Sequence, residues 1–317
     1  MSNVGTNIFN PDDIQGSINP EIKQESSQQS RGCEYRDTGA LTIASMIHVR
    51  ILSLSMFLAL GLAKSPMPVL AQTPLTVQDV KPLVPTAIAT ADSLFFSMEP
   101  LASFRRLEAR IDIAPSDYEA GWRAARAALI LGVIEKDREL TDHWLRIAVQ
   151  LASEALDLQP ENVDAIAWFA AAKGRLAQDI AGVREQVRLA QEVWALTQEA
   201  LAIDPNHALA NSVFGKLNQE VRSLSGFERF IARTFMGGGD PMKSSSWEAA
   251  EEHILRALES EPGTILFYKD LGDTYRLQDK LDLARTAYQE GLAAPDQYPS
   301  DPMWKEQMIE RIKQLDR

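Results

Sequence analysis

The stretch PGTILFYKDLGDTYRLQDKLDLARTAYQEGLAAP, from Pro262 to Pro295, decides the fold of this chain. Tyr268, Leu271, Gly272, Tyr275, Ala284, Tyr288 and Gly291 fall at positions 4, 7, 8, 11, 20, 24 and 27 of a unit about 34 residues long, closed by a proline near position 32. That spacing predicts two antiparallel helices. Small residues at 8, 20 and 27 let the helices approach closely, while the large ones at 4, 11 and 24 fill the gaps between turns. One such hairpin cannot bury its apolar face alone, so copies must stack.

Counting back from the prolines finds the copies. Pro205 opens a unit with Phe214 and Gly215 at positions 7 and 8, and its second helix closes on Pro262 with Ala250 and Ala257 at 20 and 27. Pro160 opens another, with Ile166, Phe169 and, at 27, Ala200. The unit that closes on Pro160 has Ala148 and Ala155 at 20 and 27, with Trp122 on its first helix. A degenerate first unit runs from about Ala87 to Pro115, with Leu107 at 24 and Arg110 where a small residue belongs. The joints LDLQPEN, LAIDPNH and LESEPGT each read as a helix end followed by proline, which cannot continue a helix. The pattern resembles the tetratricopeptide repeat. It predicts an all-α, tetratricopeptide-type helical solenoid with enlarged middle repeats and a C-terminal capping helix over 301–317, bearing Trp304, Met308, Ile309 and Ile312. The intervals are 45 residues from Pro160 to Pro205 and 57 from Pro205 to Pro262, so the larger insertion is expected in the second.

The chain carries a net charge of −12, and residues 1–71 hold five Lys or Arg and six Asp or Glu, so the acidity belongs to the repeats. An acidic body argues against nucleic acid as the partner, because phosphate binding needs a basic face. The single cysteine, Cys33, permits neither an internal disulfide nor a metal site with several Cys ligands.

Residues 51–63, ILSLSMFLALGLA, follow His48 and Arg50 and precede KSPMPVLAQT. A cationic start, a short apolar run and a small-x-small ending predict a secretory signal peptide over 46–71, with Val69 and Ala71 before a cleavage site at Gln72. Residues 1–45 are polar and aperiodic; they read as a disordered leader, or as a misassigned extension if Met46 is the true start. Residues 72–85 read as a linker and 86–317 as the solenoid. An uncleaved Ile51–Ala63 helix would make the protein a membrane-anchored adaptor instead.

Catalytic and metal signatures are weak. His48, His143, His207 and His253 show no paired helical spacing, so no zinc site is expected. GGGDPMKSSS, 237–246, lacks the glycine before Lys243 that a phosphate loop needs; it reads as a flexible turn, with a serine near Ser246 capping the helix from Trp247. No cofactor is expected and the chain is not read as an enzyme, although an envelope enzyme with an unrecognised site stays open.

Two surfaces are candidates for a partner. Positions 5, 9 and 12 of first helices face the concave groove of such solenoids, giving Ser212, Lys216 and Gln219 in one unit and Lys269, Asp273 and Arg276 in the next. The preceding unit gives Ala167, Ala171 and Gly174, a smooth floor. A mixed polar groove with a small-residue floor suits an extended peptide or a helix. The second surface is Arg222, Arg229 and Arg233, read as a basic stripe along one helix that also carries Phe227, Phe230 and Ile231. It would either pair with the acidic body or dock an acidic partner segment.

From Pro205 to Leu292 the chain also resembles the regulator of microtubule dynamics family. The carrying segments are VFGKLNQEVRSLSGFERFIARTF, WEAAEEHILRALESEPG and LGDTYRLQDKLDLARTAYQEGL. Leu224, Ser225, Phe227, Glu228, Arg229, Ile231 and Ala232 match a stretch that the family places between the two helices of one repeat. The resemblance implies a helical scaffold without a catalytic site, and it accounts for the 57-residue interval. With an export signal upstream, microtubule binding is not carried over. The reading is an exported, periplasmic or secreted bacterial scaffold for a protein or peptide, meeting a membrane only if the signal stays attached.

Overall fold

The computed structural model of the chain describes residues 83–316. The leader, the apolar run Ile51–Ala63, its cleavage site and Cys33 lie outside the described residues, which fall within one compact unit and are helical throughout, with no strand among them. None of the described helices is long and apolar enough to cross a membrane.

The helices pair as hairpins. α1 (Leu83–Phe96) packs on α2 (Pro100–Ile113), α3 (Tyr118–Ile134) on α4 (Arg138–Leu158), and α5 (Val163–Asp179) on α6 (Val183–Ile203). α7 (Ala208–Ser223) packs on α10 (Trp247–Ser260), with α8 (Gly226–Phe235) and α9 (Gly239–Ser244) inserted between them. α11 (Ile265–Leu277) packs on α12 (Leu281–Ala293), and α13 (Asp301–Leu315) caps both. The first helices α1, α3, α5, α7 and α11 touch in succession and form the inner layer.

The repeat positions explain why the layers close. A Cβ at Gly272 would stand 2.3 Å from Tyr288 Cε1, and one at Gly291 would stand 2.8 Å from Tyr268 Cβ and 2.9 Å from Met308 Sδ. Ala284 is fully buried at the same crossing. Gly215 repeats the arrangement against Ile254 and Gly121 against Ala155. In the first unit Arg110 replaces the small residue, and its guanidinium turns away to pair with Asp117 at 2.8 Å. Asp117 also caps α3, so the exception is tied to the next repeat.

Two of the three joints share one chemistry, while at the third Thr264 starts α11 without a side-chain cap bond. Pro160 and Pro205 lie two residues before the caps Asn162 and His207, whose side chains accept from Ala165 N and Ala210 N. The prolines therefore sit in the turns and leave the first helical turn to a polar cap. The long intervals have two causes. In the 45-residue interval α5 and α6 run 17 and 21 residues, against 13 for α11 and for α12. The 57-residue interval contains α8 and α9. Residues 239–244, expected as part of a flexible turn, form the short helix α9, and Ser246 caps α10 by accepting from Ala249 N at 3.0 Å. In the cap Trp304 and Met308 are buried as expected, while Ile309 is exposed.

Candidate functional site: a chamber inside the concave layer

The inner layer surrounds a cavity of about 610 Å³. Its apolar wall comes from Leu129, Ile130 and Val133 of α3, Trp168 and Ala171 of α5, Leu209 and Val213 of α7, Leu266 of α11, and Met303 and Trp304 of α13. The sequence predicts an open trough. The cap and the connection before it instead fold over the last two units and deepen the trough into a chamber that remains open to solvent on one side.

Charged groups occupy its flank. Lys216 Nζ lies 2.8 Å from Glu220 Oε1 and 3.5 Å from Asp270 Oδ1. Lys269 Nζ lies 2.9 Å from Asp273 Oδ2 and 3.3 Å from Asp270 Oδ1. Tyr288 Oη donates to Asp273 Oδ1 at 2.7 Å, while Arg276 and Arg311 approach the same oxygen at 3.7 and 3.5 Å. Burial alone would push the Asp273 carboxyl up, but Lys269, Lys216 and Arg311 outweigh it and hold the group well below the usual carboxylate range. Burial would likewise lower Lys216, but Glu220, Asp270 and Asp273 hold it above the usual ammonium range. Burial and then Asp273 push the Tyr288 phenol up.

This network revises the predicted groove. Ser212, Lys216 and Lys269 line the chamber, whereas Gln219, Asp273 and Arg276 do not. Gln219 and Asp273 are buried, with Gln219 Oε1 3.1 Å from the Thr274 hydroxyl. The reason is the cap: Arg311 of α13 reaches the α11 face that was expected to stay open. Of the smooth floor, Ala171 and Gly174 line the chamber and Ala167 is packed between α5 and its neighbours.

The basic stripe is also corrected. Arg222 ends α7, while Arg229 and Arg233 belong to α8, so the three do not share a helix. Ser225 starts the new helix with a capping box: its hydroxyl accepts from Glu228 N at 3.2 Å and Glu228 Oε2 accepts from Ser225 N at 2.6 Å. Arg229 turns inward and donates to the carbonyls of Arg222 at 3.1 Å and of Leu224, closing the exposed end of α7. Phe227 and Phe230 are 62% and 49% exposed, so the outer face of α8 is aromatic as much as basic.

Sequence reasoning missed Trp168, Arg175 and Tyr298. Arg175 Cζ lies 5.7 Å from the Trp304 ring centroid, two repeats away from the cap's own unit, and Lys269 Nζ lies 5.3 Å from the same ring. Burial first, then Glu261, push the Tyr298 phenol up to about 12. Two of the histidines join neighbouring elements: His207 Nε2 faces Asp164 at 3.3 Å, and His253 Nδ1 donates to Asn211 Oδ1 at 2.7 Å. Among the described residues no cluster of His, Cys, Asp and Glu could hold a metal ion.

Stacked hairpins with small residues at the crossings and a lined inner face define a tetratricopeptide-like helical repeat scaffold. Residues 87–316 match the family Regulator of microtubule dynamics protein 1-3, and the chain belongs to it. Comparison with curated proteins finds no match. Among solved structures the chain is similar to TTC0263, a thermophilic TPR protein of Thermus thermophilus, at 17% identity and a TM-score of 0.50, over 72% of this chain and 98% of that one. It is also similar to YrrB, described as a TPR protein with an unusual peptide-binding site, at 14% identity and a TM-score of 0.34, over 72% and 90%. A monomeric IFIT1 mutant with Gppp-AAAA matches at 15% identity and a TM-score of 0.39, over 67% and 49%.

Proposed function

We propose that the chain is an interaction scaffold that holds a short segment of a partner protein in the chamber. The observation that carries this reading is the chamber itself, about 610 Å³ of mostly apolar wall presented by four repeats and the cap. Its side chains favour a peptide with an apolar residue flanked by polar backbone. Trp168, Leu209 and Met303 would take the apolar side chain. The buried indole N–H of Trp304, which has no acceptor among the described residues, is a donor suited to a peptide carbonyl after a small shift. Ser212, Lys216 and Lys269 form the polar side; Gln219, Asp273 and Arg276 support that side from behind. The outer face of α8, with Arg233 and the two exposed phenylalanines, is a second surface for an acidic partner segment, with Arg222 and Arg229 as its base.

The test is to pan a random peptide library against the purified chain and measure the recovered peptides against Gly174→Trp. A Cβ at Gly174 meets no atom within 4 Å, so the indole enters the chamber without displacing the helix. Loss of about tenfold or more in affinity is expected. Unchanged affinity, or a library that yields no binder, refutes the chamber as a peptide site.

Export belongs to the same proposal. It is supported by the apolar run at 51–63 and the small residues Val69 and Ala71. The intact mass of the chain isolated from its cell would correspond to a chain starting at Gln72 if the signal is cleaved, and a mass that retains residues 51–63 would support the anchored form.

A further inference from the structure

We propose that the segment held in the chamber carries a lysine or arginine beside its apolar residue, and that Glu261 and Asp164 receive it at one rim. This rests on the reading that the chamber holds a peptide, and it names the peptide's chemistry. The rim is built where the inner helices begin. Asp164 stands in the first turn of α5, His207 caps α7, Glu261 follows α10, and Asp301 opens α13; all four line the chamber. The connection before α13 completes the rim, its Tyr298 ring 6.0 Å from Phe95 and 5.9 Å from Phe96 of α1, edge-on to both. Asp179, at the other end of α5, is about 22 Å from Asp164 along the helix axis. At that end Lys136, Arg138 and Arg175 line the chamber against Glu135 and Asp179, and Arg138 reaches Ile180 O at 3.4 Å. A basic side chain is therefore disfavoured at the far end and drawn to the rim.

The cations near the rim are already engaged. His207 Nδ1 accepts from Ala210 N at 3.2 Å, so Nε2 carries the proton and donates to Asp164 Oδ1 at 3.3 Å. Arg126 is held by Asp92 at 2.6 Å, and Arg123 by Asp92 at 2.9 Å and by Glu119. Asp301 Oδ2 accepts from the amides of Gln297 and Tyr298 at 2.8 and 2.7 Å. Glu261 is left without an ion pair among the described residues, accessible from solvent, at the carbonyl end of α10. The last turn of α10 holds no basic residue, and a carboxylate is repelled by the carbonyl end of a helix. Burial pushes the Glu261 carboxyl above its usual range, Asp164 adds to this and His207 opposes it. A carboxylate so placed destabilises the free chain and is relieved by a cation from outside. A second feature of the same chamber independently calls for a ligand. Trp304, three residues on from Asp301, is 5% exposed, and its indole N–H has no acceptor among the described residues. A peptide carbonyl at that N–H lies about 5 Å in from the rim along α13, within the reach of a lysine side chain.

The peptides recovered by panning a random library on the purified chain provide the test. A lysine or arginine is expected at a fixed distance from the apolar residue, and replacing it by glutamate is expected to weaken binding about tenfold or more. In Glu261→Lys the difference between the lysine and glutamate peptides should shrink by about the same factor. Glu108→Lys, on the exposed face of α2 and outside the chamber, makes the same change in net charge and should leave the difference as in the parent. Glu261→Gln is expected to unfold in urea no earlier than the parent while losing the preference. Recovered peptides without a basic residue at a fixed position overturn the proposal. So does an unchanged difference in Glu261→Lys, or an equal loss of it in Glu108→Lys. Earlier unfolding of Glu261→Gln also overturns it, because the carboxylate would then be partnered in the free chain. The two readings fail separately. A library without binders, or binders indifferent to Gly174→Trp, retires the chamber reading and this proposal with it; binders weakened by Gly174→Trp that show no charge preference retire the basic residue alone.

Discussion

Gly272 and Gly174 both sit in first helices, yet an added methyl group has opposite consequences at the two sites. At Gly272 it would stand 2.3 Å from the Tyr288 ring, which is buried and fixed by Asp273, so the ring cannot yield. Gly272→Ala is expected to cost about 1–3 kcal/mol, read as a lower midpoint in urea unfolding. At Gly174 nothing lies within 4 Å of the new Cβ, and Gly174→Ala is expected to stabilise by about 0.5–1 kcal/mol in the same assay. Asp273 is the other residue whose loss is amplified by its surroundings. Asp273→Asn leaves Lys269, Arg276 and Arg311 facing a neutral amide, and a cost of about 3–5 kcal/mol is expected. The folded carboxyl lies below its unfolded value, so its contribution is complete above the unfolded range and is lost as pH falls through the folded value. Stability of the parent should therefore drop more steeply than that of Asp273→Asn between about pH 5 and pH 2. Parallel profiles would show that Asp273 is not the group responsible.

At the scale of the element, α8 shows how a local signal can be present and still be overrun. Ser225 and Glu228 stand at capping-box spacing, yet Arg222, Arg229 and Arg233 also fit one helical face if the helix is allowed to run through Leu224. The cap prevails because Leu224 adopts an extended conformation, φ −63° and ψ 144°, and Arg229 then serves the carbonyl end of α7. Ser225→Ala is expected to cost about 1 kcal/mol and to raise amide exchange in α8 and at the end of α7, leaving α11 and α12 unchanged. The hairpins themselves were legible because each crossing is written by residues within one unit, such as Gly272 with Tyr288. The extra length of α5 and α6 was legible as an interval and not as a location. Tyr298 was not legible at all: it lies in a proline-rich connection without periodicity, and its partners Phe95 and Phe96 belong to the first helix. The burial of Gln219 and Asp273 was hidden for the same reason, since the covering residue Arg311 comes from the cap.

For the molecule as a whole, the contact between α1 and residues 294–300 joins segments that would otherwise report separately on unfolding. In an open stack, terminal repeats fray independently because each touches only its neighbour. Here α1 and α13 are expected to share similar protection in native-state hydrogen exchange, and Tyr298→Ala should separate them, α1 exchanging faster. Protection that already differs by orders of magnitude in the parent would argue against the coupling. The same contact bears on how this chain could change in length. A stack with free ends tolerates an extra unit, because the new copy merely lengthens the row. In this chain an inserted or deleted hairpin would carry residue 298 away from its phenylalanine partners by the rise and rotation of one repeat. The contact thus disfavours a change in the number of hairpins, whereas an insertion such as α8–α9 adds residues without moving it.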